Sequence, residues 1–283
     1  MVYYFMLIGA AAFFSVQFFF QDKFQASFGT DSKSAAVFSV GTGFGMALLS
    51  FFFVGINVKI TLFSSIVALV HGTASFLYML CSLKALKIAN LSIFSIFTML
   101  GGMLLPLIYG VGLAGEKLTV GKAICCALVT ASVLCTASNG KSGKKAIFYY
   151  IAVFVTNGMT SVAAAVHQNY PKLNVDSYSY MVLSSLALML IGLVYLIFTS
   201  KSPKRLALKQ IGYMSGFSLC SGLGNIILMV SLLYLPASLQ FPFSTGAAVV
   251  FAAVITLLQG KKMPIREIIA VFVALVSTIF IMF

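Results

Sequence analysis

The scarcest thing in this sequence is charge. Only 8% of its 283 residues are Asp, Glu, Lys or Arg, where a soluble domain carries about a quarter. Five residues are acidic (Asp22, Asp31, Glu116, Asp176 and Glu267), and all lie at the edges of apolar runs or between them. A carboxylate in hydrocarbon is costly and is kept where it works. The buried carboxylate that cation exporters commonly share between proton and cargo therefore has no obvious carrier, and Asp22 comes nearest. Tryptophan is absent. The five cysteines (Cys81, Cys125, Cys126, Cys135 and Cys220) sit inside apolar runs without metal-ligand spacing and read as small apolar fillers. No Ser-His-Asp set, metal cluster or nucleotide loop is visible, so neither catalysis nor a cofactor is expected. Gly41-Thr42-Gly43-Phe44-Gly45 is glycine-rich but has no strand before it, which favours close helix packing over phosphate binding. Asn90-Leu91-Ser92 matches a glycosylation acceptor but stands at a run boundary.

What the chain has in quantity is apolar length. It is 61% hydrophobic, with a mean hydropathy of +1.07. Runs of about 20 residues, enough to cross roughly 30 Å of hydrocarbon, recur along it. They are continuous, without the alternation of barrel strands, and lipid leaves a helix as the way to satisfy the backbone. The fold class expected is all-α: a polytopic membrane protein with ten transmembrane helices at 2–20, 35–54, 60–83, 88–112, 119–137, 146–166, 178–199, 211–234, 238–258 and 265–283. The net charge of +13 comes from lysines and arginines at the ends of runs, so the partner it implies is the bilayer and not nucleic acid. The N-terminus lacks a positive n-region and its first run is long enough to span, so no cleavable signal is expected. The expected location is a cell membrane, inner or plasma, crossed many times.

The runs repeat. Gly101 maps on Gly246, Glu116 on Lys261, and Asp31-Ser32 on Asp176-Ser177, at an offset of 145. Tyr3-Tyr4 maps on Tyr149-Tyr150, and Ser15-Val16 on Ser161-Val162, at 146. The turn-rich stretch 139–143 falls at the join, giving repeats at 1–140 and 141–283. Five spans per repeat is an odd number, so the second copy enters the membrane upside down. Inverted repeats of this kind build transporters whose binding site lies at the repeat interface near the midplane.

Ala85-Leu86-Lys87 before the fourth span, the corner Gly115-Glu116-Lys117-Leu118, and the Gly121-led span after it resemble the drug/metabolite transporter superfamily, in its EamA-like ten-helix branch. The closing segment, from Ser244-Thr245-Gly246 through Gly260-Lys261-Lys262 to Phe283, also resembles the C-terminal hairpin of small multidrug resistance proteins. The resemblance implies ten helices in two inverted repeats and movement of small metabolites by alternating access. The family pattern has an acidic residue in the second corner where this chain has Lys261, so no role carries over there. The resemblance also implies termini inside the cell. The loops following the odd-numbered spans hold 14 Lys and Arg against 4 in the others, and positive loops stay cytoplasmic, which places the termini outside.

Polar side chains inside the spans mark a candidate substrate site. His71 lies in the middle of span three and titrates near neutral pH, which makes it the candidate proton carrier. Ser75 and Tyr78, four and seven residues on, share its helix face. Gln17, Asn157 and Asn225 are lone amides that need partners; each reads as interhelical glue or, taken together, as a polar midplane cavity. Gln240, Ser244 and Thr245 pose the same choice beside Pro242. Tyr78, Tyr109 and Tyr234 are candidates for an aromatic wall. His167-Gln168-Asn169 reads as an interfacial cluster. The partners expected are a small polar or zwitterionic molecule and the bilayer, with the chain a monomer or homodimer. Other readings are, in the same fold, a lipid-carrier flippase with Lys84, Lys87 and Lys117 at its mouth or an organic-cation or drug exporter, and, in another class, a membrane-embedded enzyme or receptor.

Overall fold

The structure is a computed structural model and describes residues 2–55, 57–88, 91–137, 144–199, 205–258, 260 and 265–280. These residues form helices and no strand: α1 (Val2–Phe28), α2 (Ser32–Val54), α3 (Leu62–Ile88), α4 (Leu91–Gly112), α5 (Val120–Ala137), α6 (Lys144–Asn169), α7 (Ser177–Thr199), α8 (Leu208–Ser231), α9 (Ala237–Leu258) and α10 (Ile265–Phe280). Among the described residues, seven stretches are long and apolar enough to cross a membrane: α1, α2, Leu62–Lys87 in α3, Ile147–Asn169 in α6, α7, α8 and α9. Phe97–Gly112 in α4 is a shorter apolar helix. The chain is an all-helical, polytopic membrane protein by these lengths and compositions. The proposed join at 140/141 lies outside the described residues, as do Asn90, Lys261 and Lys262.

Contacts between helix ends sort the loops onto two ends of the bundle. At one end the Asn169 amide donates to the Tyr109 hydroxyl (3.4 Å). There too the Ser238 amide donates to Glu116 Oε2 (3.0 Å), Thr61 Oγ1 to the Leu173 carbonyl (2.9 Å), and Tyr3 stacks on Tyr234. At the other end Gln210 Nε2 donates to the Ser27 carbonyl (3.2 Å), and Lys84 Nζ sits 5.7 Å from the Tyr149 ring centre. The 4 sparse Lys and Arg belong to the loops of the first end and the 14 to the loops of the second. We name them the cation-poor and cation-rich ends.

Packing runs mostly between the two halves of the chain. α1 packs on α8 and α9, α2 on α7 and α8, α3 on α6 and α7, α4 on α6 and α9, and α5 on α10. Without a hydrophobic force between helices in lipid, close backbone approach carries association. At α4–α6 a Cβ on Gly101 would stand 1.9 Å from the Phe154 carbonyl oxygen, and at α2–α7 one on Gly43 would stand 2.9 Å from the Ser185 carbonyl oxygen. The glycine-rich 41–45 stretch is thus a packing surface. Gly115 and Gly260 adopt φ +72° and +70°, the left-handed region that only glycine enters freely, and each turns the chain after a helix.

One expectation is corrected. The first span was set to end at residue 20, where Gln21-Asp22-Lys23 begins, yet α1 continues to Phe28. Gln21 is fully buried and its amide donates to Ser82 Oγ (2.7 Å), so a polar residue that looked like a boundary is an interhelical tie.

Candidate functional site

A cavity of about 130 Å³ lies inside the bundle, lined by α1–α4 and α6–α9. Gln17, His71, Ser75, Tyr78, Asn157, Asn225 and Ser244, seven of the eight residues nominated from sequence, are on its wall, as is Thr245. Gln240 is not. It is fully buried, and its amide donates to the Leu228 carbonyl (2.7 Å), so it braces α9 against α8 from behind the wall. Tyr78 is the one member of the aromatic trio at the cavity; Tyr109 bonds Asn169 and Tyr234 is exposed against Tyr3. Asp22 does not line the cavity.

The lining explains why these side chains tolerate an apolar bundle. Asn157 Nδ2 donates to the Thr98 carbonyl (2.7 Å), which ties α6 to α4. Asn225 Nδ2 donates to the Ser221 carbonyl one turn back (2.8 Å). Thr245 Oγ1 donates to the Met99 carbonyl (3.3 Å). Gln17 is 91% buried by its 9% exposure, and its Oε1 has no partner; an orphaned buried acceptor is costly unless something fills the role. Pro106 has no N–H to give the Gly102 carbonyl one turn earlier, and Gly102 is on the wall. Acceptors therefore outnumber fixed donors, while Asn, Ser and Thr supply donors that rotate.

Among the described residues, no lysine, arginine or carboxylate is on the wall. Phe14, Phe18, Phe217 and Phe241, four methionines, Leu188 and Leu228 form its apolar part. Such a mixture holds a small molecule by apolar contact and orients it by a few polar groups, and it offers no fixed charge to balance a net-charged ligand. Sequence reasoning missed Thr98, Thr160, Ser161, Ser184, Ser185 and Ser221, all on the wall. Ser161 and Ser221 stand four residues from Asn157 and Asn225, on the same helix faces, and that spacing was the available signal.

The cavity is not centred. Met181, Phe241 and Leu228 lie within four residues of the cation-poor ends of their helices, whereas no lining residue comes within six of a cation-rich end. On its cation-rich side, Phe18 and Phe217 of the wall are buried together with Phe24, Phe38 and Phe94. Phe38 stands 4.6 Å from Phe24 and 4.9 Å from Phe217 between ring centres.

His71 faces both ways. Its Nδ1 is 3.1 Å from the Tyr180 hydroxyl, and the ring is on the cavity wall. His167, read as interfacial from sequence, is fully buried instead. It stacks on Tyr180 (centroids 3.9 Å) and its Nε2 meets Ser64 Oγ at 3.0 Å. The ring lies between Tyr180 of α7 and Phe63 of α3 (centroids 6.3 Å), and in the turn after α6 the Asn174 amide donates to the His167 carbonyl (2.9 Å).

No family model matches the sequence, and no curated protein matches it. A solved structure described only as that of a protein has the same fold, with a TM-score of 0.69 over 97% of this chain and 95% of that one, at 15% identity. At that identity the likeness is one of fold alone.

Proposed function

We propose that this chain is a secondary transporter, in the manner of the EamA-like branch of the drug/metabolite transporters, that moves a small uncharged or zwitterionic polar metabolite by alternating access. The observation that carries the reading is the wall of the cavity: seven polar residues scattered from position 17 to position 244 meet around one charge-free space. Ten membrane-spanning helices in two inverted five-helix repeats are part of the proposal.

The packing supports the repeat. Exchanging each helix for the one five places away turns α1–α8 into α6–α3, α4–α6 into α9–α1 and α3–α7 into α8–α2, all of which are pairs that pack. Two local motifs recur at opposite ends. At the start of α2 the Ser34 hydroxyl donates to Asp31, and at the start of α7 the Ser179 amide and hydroxyl donate to Asp176 (2.9 and 2.8 Å). Gly115 and Gly260 turn the chain with the same backbone angle. A site at the interface of two such repeats is exposed by rocking one against the other.

The flippase reading draws less support. Lys84 and Lys87 lie at the cation-rich end and Lys117 at the other, so they do not rim one mouth. The positive-inside rule puts the cation-rich end in the cytoplasm and both termini outside; a fluorescent fusion at Phe283 that stays dark in the cytoplasm agrees, and one that lights up reverses the orientation. The function is tested by a thermal-shift screen of amino acids, nucleosides, sugars, polyamines and choline-like cations on purified protein. A neutral or zwitterionic compound is expected to raise the melting temperature of the native protein but not of Asn157→Leu. Stabilisation by permanently charged cations alone counts against the reading.

A further inference from the structure

The chain contains two histidines, 96 residues apart, and both touch Tyr180. His71 meets its hydroxyl, and His167 lies flat on its ring with an interplanar angle of 20°. The protons of His167 and its neighbours are assigned to the arrangement that leaves fewest groups unpaired. Thr61 Oγ1 donates to the Leu173 carbonyl (2.9 Å), which leaves it to accept from the Ser64 hydroxyl (3.0 Å) and the Ser64 amide (3.2 Å). Ser64 Oγ accepts from the Val175 amide (3.0 Å) and is left to accept from His167 Nε2–H. Every group in this network then has a partner except His167 Nδ1, a buried lone pair with none. Ser64, His167 and Val175 tie the start of α3, the end of α6 and the start of α7 into one clasp over the cation-poor side of the cavity.

We propose that His167 is the proton site that couples this protein to a pH gradient, and that protonating it releases the clasp. A proton can bind only at Nδ1, where it creates a buried N–H with no acceptor and a positive charge with no solvent. The closed arrangement rejects that form, so acid favours an open one in which Nδ1–H finds water or the nearest carboxylate. The ionisable groups around the imidazole are few among the described residues. From the α6–α7 turn Asp176 acts on it electrostatically, and Tyr170 shares the Phe63 face. From α7 comes Tyr180, from α3 Phe63 and Ser64, and across Tyr180 lies His71. Asp176 is exposed and held by Ser179, placed to receive the released ring. His71 then reports to the cavity. Its Nδ1 is engaged with Tyr180, and its Nε2 has no protein partner among the described residues. A change at His167 that moves Tyr180 therefore resets which ring nitrogen of His71 offers a donor to whatever is bound.

This inference rests on the transport reading for its purpose but not for its test. The full-length protein in lipid nanodiscs, labelled with ¹⁵N-histidine, gives two imidazole signals. From about pH 8 to about pH 4, the signal lost in His167→Gln is expected to titrate, and the His71 signal to follow with the same midpoint. In Tyr180→Phe, which keeps the stack and loses the hydroxyl, the two are expected to part. Tryptophan is absent from the chain, so Phe63→Trp is a single reporter against His167. Its quenching by acrylamide is expected to rise about threefold with acid as the clasp opens, to do so equally with His71→Gln, and to stay flat with His167→Gln. A His167 signal that does not titrate overturns the proposal, as does titration without a gain in quenching. Acid opening in a protein that no screened compound stabilises keeps the clasp and removes the transporter.

Discussion

The two ends of the bundle are closed by different physics. Toward the cation-rich end the cavity meets a plug of phenylalanines, with Phe24 and Phe38 fully buried, and Gln21 ties α1 to Ser82 of α3 there. Toward the cation-poor end lie Thr61, Ser64 and His167, joined by hydrogen bonds that fix position through direction, and Tyr180, which stacks on His167 and bonds His71 of the cavity wall. An apolar plug is held by packing, which changes gradually as helices slide. A polar clasp is either made or broken, because a half-satisfied buried network is worse than none. The difference teaches that, if His167 takes up a proton as proposed, a pH gradient acts on the two ends unequally.

The comparison is broken most severely from the plug side. Phe38→Ala leaves a void between Phe24 and Phe217 and is expected to cost about 3–5 kcal/mol, seen as a loss of melting temperature in nanodiscs, with new access to the cavity from the cation-rich side. Gly101→Ala strikes the α4–α6 crossing that both ends share. With the Phe154 carbonyl 1.9 Å from the new methyl, the helices must separate, at about 1–3 kcal/mol or more, and the melting temperature should fall at every pH. Ser64→Ala strikes only the clasp. It strands His167 Nε2 and the Val175 amide at about 1–3 kcal/mol, and should leave the cation-poor end open at neutral pH as acid does in the native protein. Glu116→Gln is expected to have the smallest effect, about 0.5–1 kcal/mol, since the amide oxygen still accepts from Ser238 at the N-terminus of α9; the melting temperature should move little and the quenching profile not at all.

Much of the fold was legible because lipid imposes a simple rule: long apolar runs become helices. Their ends were less so, as Gln21 illustrates, because a polar residue marks a boundary only if it faces water. The site was legible where polarity is rare. Gln17, Asn157 and Asn225 stand out in apolar sequence and reach one cavity. Ser184 and Ser185 do not stand out, since hydroxyls satisfy themselves on their own helix and occur throughout spans. Gln240 was as conspicuous as Gln17, yet its amide turns to Leu228, and which way a side chain points along a buried helix depends on neighbours that the sequence does not place together. The burial of His167 was hidden for a similar reason: the rings that cover it, Phe63 and Tyr180, come from α3 and α7.

The claim at the centre is that the charge-free cavity is a passage and not merely a pocket. Counterflow in liposomes tests it most directly. Vesicles holding the protein are loaded with an unlabelled compound that stabilises it, and the labelled form is supplied outside. The account predicts transient accumulation of label above equilibrium in loaded vesicles, little in empty ones, and none in either with Asn157→Leu. A compound that binds and stabilises the native protein, yet exchanges no faster in loaded vesicles than through protein-free lipid, contradicts it.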